Sequence, residues 1–491
     1  MTGLASRALP RHEVRFFING RWSEAAGEGR RTITDPATGD VVGEAAYGDE
    51  RDAEAAVRAA ADAFQSWART PVRDRARILR RGAELIRDAV DEIATTLTRE
   101  QGKPLPDSRK EILFGADVFE YYAEMAKHRV DEWRPAAGPE FRSLVIRQPL
   151  GVVVAIVPWN FPVDLFAWKV APALAAGCSV VAKPASQTPL ATARVIQCFA
   201  DAGLPDGVLN YVIGPSRELG EALITDPRTR MIAFTGSTAS GRRVMELAAK
   251  GIKRVNLELG GHTPFIVLRD ADLDLTIPAA VRRSFSNMGQ ICNAVNRIYV
   301  SRDLEPEFER RFVDRTSGLS IGPGLDPGVE YGPLIDEVQI ERTQRHVDDA
   351  VAKGGRLVWG GRRLDGERFE RGHFYVPTVV ADVPDTAIAM SDETFGPLAP
   401  ITTFETLDEL AGRANSTRYG LVAYVFGELE SALRLAEKLE FGGVGINVND
   451  VTELEGPFGG WKESGIGREM GSEGLEAYLE PKHIRIRFRE A

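Results

Sequence analysis

Between residues 51 and 127 the chain is rich in Ala, Arg, Glu and Leu, and its apolar positions recur at helical spacing: Ile78, Leu79, Ala83, Leu85, Ile86, then Ile93 and Leu97. That period predicts amphipathic helices with one buried face each. Ahead of them, Asp35-Pro36-Ala37-Thr38-Gly39-Asp40 is a turn cluster between strand-like runs, which predicts a hairpin at a domain edge. From Leu150 the texture changes to short apolar runs at residues 151–157, 179–183, 208–212, 231–234 and 255–259, separated by segments long enough for crossover helices. Parallel strands need such crossovers, so the alternation predicts a doubly wound α/β sheet of dinucleotide-binding type, with ligands beyond the carboxyl ends of its strands. The short motifs fall there: Pro158-Trp159-Asn160-Phe161-Pro162, Lys183-Pro184-Ala185-Ser186, Gly214, and Thr235-Gly236-Ser237. A second α/β region begins near Pro264, carries Cys292 and Glu393-Thr394-Phe395, and closes near residues 457–462.

A chain of 491 residues is too long for one ordinary core, and length alone suggests about two to four domains. Hydrophobic residues at 43% and charged ones at 27% are ordinary for a globular protein. The net charge of -10 argues against a nucleic-acid or anionic-membrane surface and for small-molecule partners. Residues 1–10 lack the apolar core of a signal peptide, and no apolar run reaches bilayer length, so a cytoplasmic location is expected. Cys178, Cys198 and Cys292 are odd in number and scattered, and the histidines show no ligand spacing, so neither a disulfide framework nor a metal site is expected.

Cys292 follows a Gly289-Gln290-Ile291 run that permits close backbone approach beside the sulfur. A thiol there is a candidate nucleophile if a base or a favourable field populates the thiolate; taken alone it reads sooner as a buried structural cysteine. Asn160, held in a rigid aromatic turn, offers an amide that, with the Cys292 N–H, suits an oxyanion; alone, it reads as serving its own turn. Glu258 stands among leucines, where burial raises a carboxyl pKa towards that of a general base, or where it partners a buried cation. The turn at residues 235–241 places glycines and backbone N–H groups at a helix start, as a pyrophosphate requires, but its spacing departs from G-x-G-x-x-G and also suits an ordinary βα loop.

Asn160, Lys183, Gly236, Glu258, Cys292, Glu393 and Phe395, in this order, resemble the NAD(P)-dependent aldehyde dehydrogenase superfamily, in its hydrolytic rather than CoA-acylating branch. The likeness runs nearly end to end, from Phe17-Ile18-Asn19-Gly20-Arg21-Trp22 to Gly465-Ile466-Gly467-Arg468-Glu469 and residues 477–482. The resemblance implies a three-layer α/β fold: a Rossmann-like cofactor domain (residues 1–127 and 149–260), an α/β catalytic domain (261–460), and an oligomerisation arm (128–148) with a C-terminal strand (478–491) that build a homodimer or homotetramer. It implies that Cys292 attacks the aldehyde, that Asn160 holds the oxyanion, that Glu258 activates water, and that Lys169 and Glu469 relay its proton. NAD or NADP would lie along Ile156, Pro158, Trp159, Lys183, Ser186, Gly214, Gly236, Ser237, Leu259, Glu393 and Phe395. Glu258 counts against release of the acyl group to CoA, since that reaction needs no water-activating base.

Two departures narrow this reading. NAD-preferring members carry Glu where this chain has Ser186, so acceptance of NADP alongside or ahead of NAD is expected. Succinic-semialdehyde dehydrogenases carry arginines where this chain has Trp168 and Ser286. Phe161, Leu165, Trp168, Phe285, Ser286, Ile291, Asn293 and Phe458 are the expected substrate pocket, suited to an apolar, aromatic or aliphatic aldehyde. A semialdehyde is the alternative, and it requires another arginine, such as Arg282 or Arg283, to meet its carboxylate.

Overall fold

A computed structural model describes residues 12–128 and 131–488. The reading of residues 1–10, and the parts of the expected arm and terminal strand at residues 129–130 and 489–491, lie outside the described residues.

The helical period at residues 51–127 becomes four consecutive helices, Glu50–Arg69, Val72–Asp88, Val90–Gln101 and Leu105–Met125. The first opens on a capping box, in which Asp49 accepts from the Arg51 N–H and the Asp52 carboxylate accepts from the Asp49 N–H. Leu79, Ala83, Ile86, Ile93 and Leu97 are buried, as their spacing requires. The turn at residues 35–40 joins the antiparallel strands Arg30–Thr34 and Val41–Ala46, and the Asp35 carboxylate accepts from the Ala37 N–H at 2.8 Å within it.

The largest sheet runs in the order Gly465–Ile466, Arg254–Glu258, Thr229–Thr235, Val152–Ile156, Ser179–Lys183, Leu209–Tyr211, Phe16–Ile18, Arg21–Ser23. The strands from Arg254–Glu258 to Leu209–Tyr211 pair in parallel. Their sequence order reverses between Val152–Ile156 and Thr229–Thr235, and such a switch point opens a crevice at the strands' carboxyl ends. The Asn19-Gly20 turn, with φ of 51° and 75°, closes the hairpin that adds the antiparallel edge. The helix Pro162–Ala176 is buried almost all round and lies beneath the crevice.

A second sheet runs Arg356–Trp359, Thr378–Ala381, Leu398–Phe404, Val295–Ser301, Thr263–Val267, Val422–Phe426, Gly443–Ile446, parallel but for its first strand. Glu132–Arg134, Phe141–Pro149 and Leu479–Arg487 form a separate antiparallel sheet in which Ile484 and Ile486 are half-buried between exposed basic residues. No helix among the described residues is long and apolar enough to cross a membrane.

Candidate active site

Strand register brings the expected residues to one edge. Ile156 pairs with Lys183 and with Phe234, and Thr235 pairs with Glu258, so the loops that follow these strands rise side by side. Trp159 and Asn160 follow one of the two strands flanking the switch point, and Gly236 and Ser237 follow the other.

Cys292 approaches this edge from the opposite sheet on a loop with unusual backbone. Asn287, Met288 and Gly289 have successive φ values of 47°, 57° and 71°. Left-handed non-glycine residues cost about 1 kcal/mol or more each, so surrounding contacts must enforce them. The Gln101 Nε2 donates to Asn287 Oδ1 at 3.2 Å, Asn287 Nδ2 to the Asn160 carbonyl at 3.3 Å, and Gln290 Nε2 to the Asn287 carbonyl at 2.9 Å. A β carbon at Gly289 would lie 2.2 Å from the Gly396 carbonyl oxygen, and one at Gly261 would lie 2.2 Å from the Cys292 carbonyl oxygen. Glycine at both positions lets the loop pack this closely.

Burial pushes the Cys292 thiol up to about 12, with the Glu393 and Glu258 carboxylates adding to it and the Arg283 charge opposing. The resting thiol is therefore protonated at neutral pH. Asn160 Nδ2 donates to the Gln290 carbonyl at 2.9 Å, which leaves its second amide hydrogen for a ligand. The Asn160 backbone is fixed in turn by Lys103, whose Nζ donates to its carbonyl at 2.7 Å and lies 3.6 Å from the Phe161 ring centre. Lys103 is ion-paired with Glu111, whose other oxygen accepts from the Val163 N–H at 2.9 Å.

Glu258 is 3% exposed, and neither carboxylate oxygen has a hydrogen-bond partner. Burial raises its pKa well above the usual carboxylate range, Glu469 raises it further, and Lys169 and Arg468 pull it back. Lys169 Nζ donates to Thr235 Oγ1 at 2.5 Å and to Glu469 Oε1 at 2.7 Å, all within the interior. The strand Gly465–Ile466 pairs with the end of Arg254–Glu258, which brings the preceding glycines over Glu258. A β carbon at Gly459 would lie 2.8 Å from Glu258 Oε1.

Along the crevice, Lys183 is buried, and burial alone lowers its pKa to about 8. Among the described residues no carboxylate pairs with it. Ser186 is half-buried in the turn that follows. Ser237 caps the helix Thr238–Ala249, accepting from the Ser240 N–H at 3.2 Å. Gly214 packs against the Gly48 carbonyl, and the Leu259 side chain against Gly241. Glu393 accepts from the Gly261 N–H at 3.0 Å and is raised by burial to about 7, and Phe395 stands edge-on to Trp159 with centroids 5.5 Å apart.

A cavity of about 530 Å³ leads from solvent to Cys292 and Asn160. Phe161, Leu165, Trp168, Ile291 and Phe458 form one wall, with Trp168 edge-on to Phe458 at 5.2 Å. Ser286 and Asn293 also line the cavity, as expected. Phe285 does not. It is the last residue of the helix Leu273–Phe285, fully buried, with its ring 6.1 Å from Phe312 in the core. The lining also carries charges: Arg282 and Arg283, which the sequence already offers as partners for a carboxylate, and Lys103, Asp164 and Asp450. Lys103, Asp164 and Asp450 went unnoticed because no local pattern marks them; each reaches the cavity from a different segment.

The sequence model of the aldehyde dehydrogenase family matches residues 22–484. The chain is 41% identical over 471 residues to the glutarate-semialdehyde dehydrogenase of Pseudomonas putida, covering 96% of this chain and 97% of that protein. It is 42% identical, with the same coverage, to the NADP(+) succinate-semialdehyde dehydrogenase of Escherichia coli. Among solved structures, an E. coli NADP-dependent enzyme superposes with a TM-score of 0.95 at 41% identity, covering 97% of this chain and 98% of that one. The betaine aldehyde dehydrogenase of Staphylococcus aureus, in complex with NAD+, superposes with a TM-score of 0.95 at 35% identity, covering 97% and 95%. Fold, order of motifs and likeness along the whole length agree, and the chain belongs to the aldehyde dehydrogenase family.

Proposed function

We propose that this chain oxidises an aldehyde to its carboxylic acid with NAD(P), through covalent chemistry at Cys292. One grouping carries this reading: Cys292 and Asn160 line the same cavity, and the Glu258 carboxylate is near enough to raise the pKa of the Cys292 thiol. The crevice suits a dinucleotide: Lys183 is a buried cation without a carboxylate partner, and the capped helix start at Ser237 presents backbone N–H groups. Lys183 and Ser186 would hold the adenine-side ribose or its 2′-phosphate, Ser237 the pyrophosphate and Glu393 the other ribose. Trp159 and Phe395 would bound the ring. A bound nicotinamide supplies a hydride acceptor.

The chain's own residues do the rest. Cys292 Sγ gives its proton to water in the cavity and bonds to the carbonyl carbon, while the Asn160 amide and the Cys292 N–H hold the oxygen as it becomes negative. Oxidation at that carbon leaves a thioester on the sulfur. Glu258, ionised, takes a proton from water as the water oxygen attacks the thioester carbon; the C–S bond breaks and the sulfur leaves as thiolate. Lys169 and Glu469 provide a path for the proton beyond Glu258. NAD(P)H formation that needs an aldehyde and proceeds without CoA is the expected result of an assay over an aldehyde panel. Dependence on CoA, or no reduction with any aldehyde, would overturn the reading.

Glu258 must be ionised to act, so kcat rises with pH through its raised pKa. Lys169 lowers that pKa, and Lys169→Met therefore moves the acid limb of the kcat profile to higher pH. A limb that stays or moves lower contradicts the assignment.

Ser186, with Lys183, favours acceptance of NADP, because a hydroxyl and an ammonium can both donate to a 2′-phosphate where a glutamate would repel it. Ser186→Glu is expected to lower kcat/KM for NADP by about 100-fold and to spare NAD. Wild-type discrimination against NADP beyond about 100-fold would refute this preference. We also read the chain as a cytoplasmic homo-oligomer, assembled through the sheet of Phe141–Pro149 and Leu479–Arg487, whose half-buried Ile484 and Ile486 suit a partner surface. The bounds expected for its cofactor, catalytic and arm regions remain part of this proposal.

The aromatic wall suits the carbon chain of the substrate. The names of the relatives favour a second reading, in which that chain ends in a carboxylate.

A further inference from the structure

We propose that Arg283 is the specificity-determining residue of the substrate cavity, that it binds a carboxylate carried by a short aldehyde, and that Asp450 is its displaceable counter-ion. The inference rests on the aldehyde-oxidising reading and deepens its second form. Neither Trp168 nor Ser286 carries a charge, so a carboxylate in this cavity needs a cation from elsewhere in the lining.

Arg283 is 7% exposed and already faces the cavity. Its Nε donates to the Asn449 carbonyl, its Nη1 to Asn293 Oδ1 at 3.1 Å, and its Nη2 is paired with Asp450. A guanidinium carries five N–H groups, so two remain for a ligand, and the bonds to Asn449 and Asn293 hold it in place when Asp450 leaves. Asp450 has a side chain 49% exposed, and re-entering water costs such a carboxylate little. Asn293 directly follows Cys292, so the guanidinium is tied to the residue beside the nucleophile, within reach of a short substrate.

The charge balance of the cavity points the same way. Glu111 is paired with Lys103, Asp107 with Lys110 at 3.6 Å and Asp117 with Arg87 at 2.6 Å. Burial raises the pKa of Asp164 well above the usual carboxylate value, the neighbouring Glu111 adds to it and Lys103 opposes, so its charged form is disfavoured. Arg283 is matched by Asp450, which leaves Arg282, exposed and without a carboxylate partner among the described residues.

The test uses the full chain and paired substrates, succinic semialdehyde and its neutral methyl ester. Arg283→Met is expected to lower the acid-to-ester ratio of kcat/KM by about 30-fold or more, with partial retention in Arg283→Lys. Asp450→Asn, which frees the guanidinium, is expected to raise that ratio. In parallel, without any aldehyde, the rates at which iodoacetate and iodoacetamide alkylate Cys292 are compared, and Arg283→Met should lower the iodoacetate-to-iodoacetamide ratio. Equal losses on acid and ester, showing only bracing of the Asn293 loop, would overturn the proposal. So would an alkylation ratio indifferent to Arg283, or an Asp450→Asn ratio that falls. An alkylation ratio that tracks Arg283 in a protein that oxidises no aldehyde would instead leave the anion site standing and sink the reaction.

Discussion

Cys292→Ala is expected to abolish aldehyde oxidation, lowering kcat/KM by about 10⁴-fold or more, because the step lost is the formation of the covalent bond itself. No other thiol can substitute. Cys178 is fully buried and donates to the Tyr478 carbonyl at 3.5 Å, and Cys198 is buried beside Arg194. Nor should the fold suffer: Cys292 is partly exposed at the end of the cavity, so the lost sulfur leaves no closed void. Cofactor binding, followed by fluorescence titration, should persist. The loss then reports chemistry. Steady-state rates over an aldehyde panel check it, and near-normal turnover in this variant would remove the nucleophile from the account.

Glu258→Gln should lower steady-state turnover by about 10²- to 10³-fold and yet leave a burst of NAD(P)H close to one per active site. The amide cannot take a proton from water, but the carbon–sulfur bond and the oxyanion donors are intact. The same variant separates catalysis from stability. A carboxyl whose pKa is raised in the folded state holds its proton to higher pH than in the unfolded chain, so the folded state loses stability as pH rises from the ordinary carboxylate range through the raised value. Glutamine removes that loss, and its Tm at alkaline pH should match or exceed that of the wild type. The acid limb of the wild-type kcat profile should disappear with it. A variant that is slow, lacks the burst and is less stable would make Glu258 a structural residue.

Much of this was legible before any coordinates. The apolar runs became parallel strands because period and length suffice to identify strands buried on both faces, and the motifs after them fell at the carboxyl edge as the topology requires. What escaped has physical reasons. Phe285 directly precedes Ser286 and lies six residues before Ile291, both of which line the cavity, yet the helix end turns its ring towards Phe312, and sequence proximity says nothing of that direction. Lys103, which fixes the carbonyl of Asn160, lies 57 residues from it in sequence, and Glu111, which holds Lys103, is likewise remote. The two-residue strand Gly465–Ile466, which closes the glycines over Glu258, is too short to carry a period. The second sheet was placed only coarsely, because its spatial neighbours are not its sequence neighbours.

The central claim is a two-step reaction on one sulfur, with Glu258 needed only for the second step. Mass spectrometry of Glu258→Gln, quenched after mixing with an aldehyde and NADP, tests it most directly. The account predicts an acyl adduct on the peptide containing Cys292, equal in amount to the burst and absent when Cys292→Ala is added. No adduct during a burst, or an adduct on the Cys178 or Cys198 peptide, would contradict it.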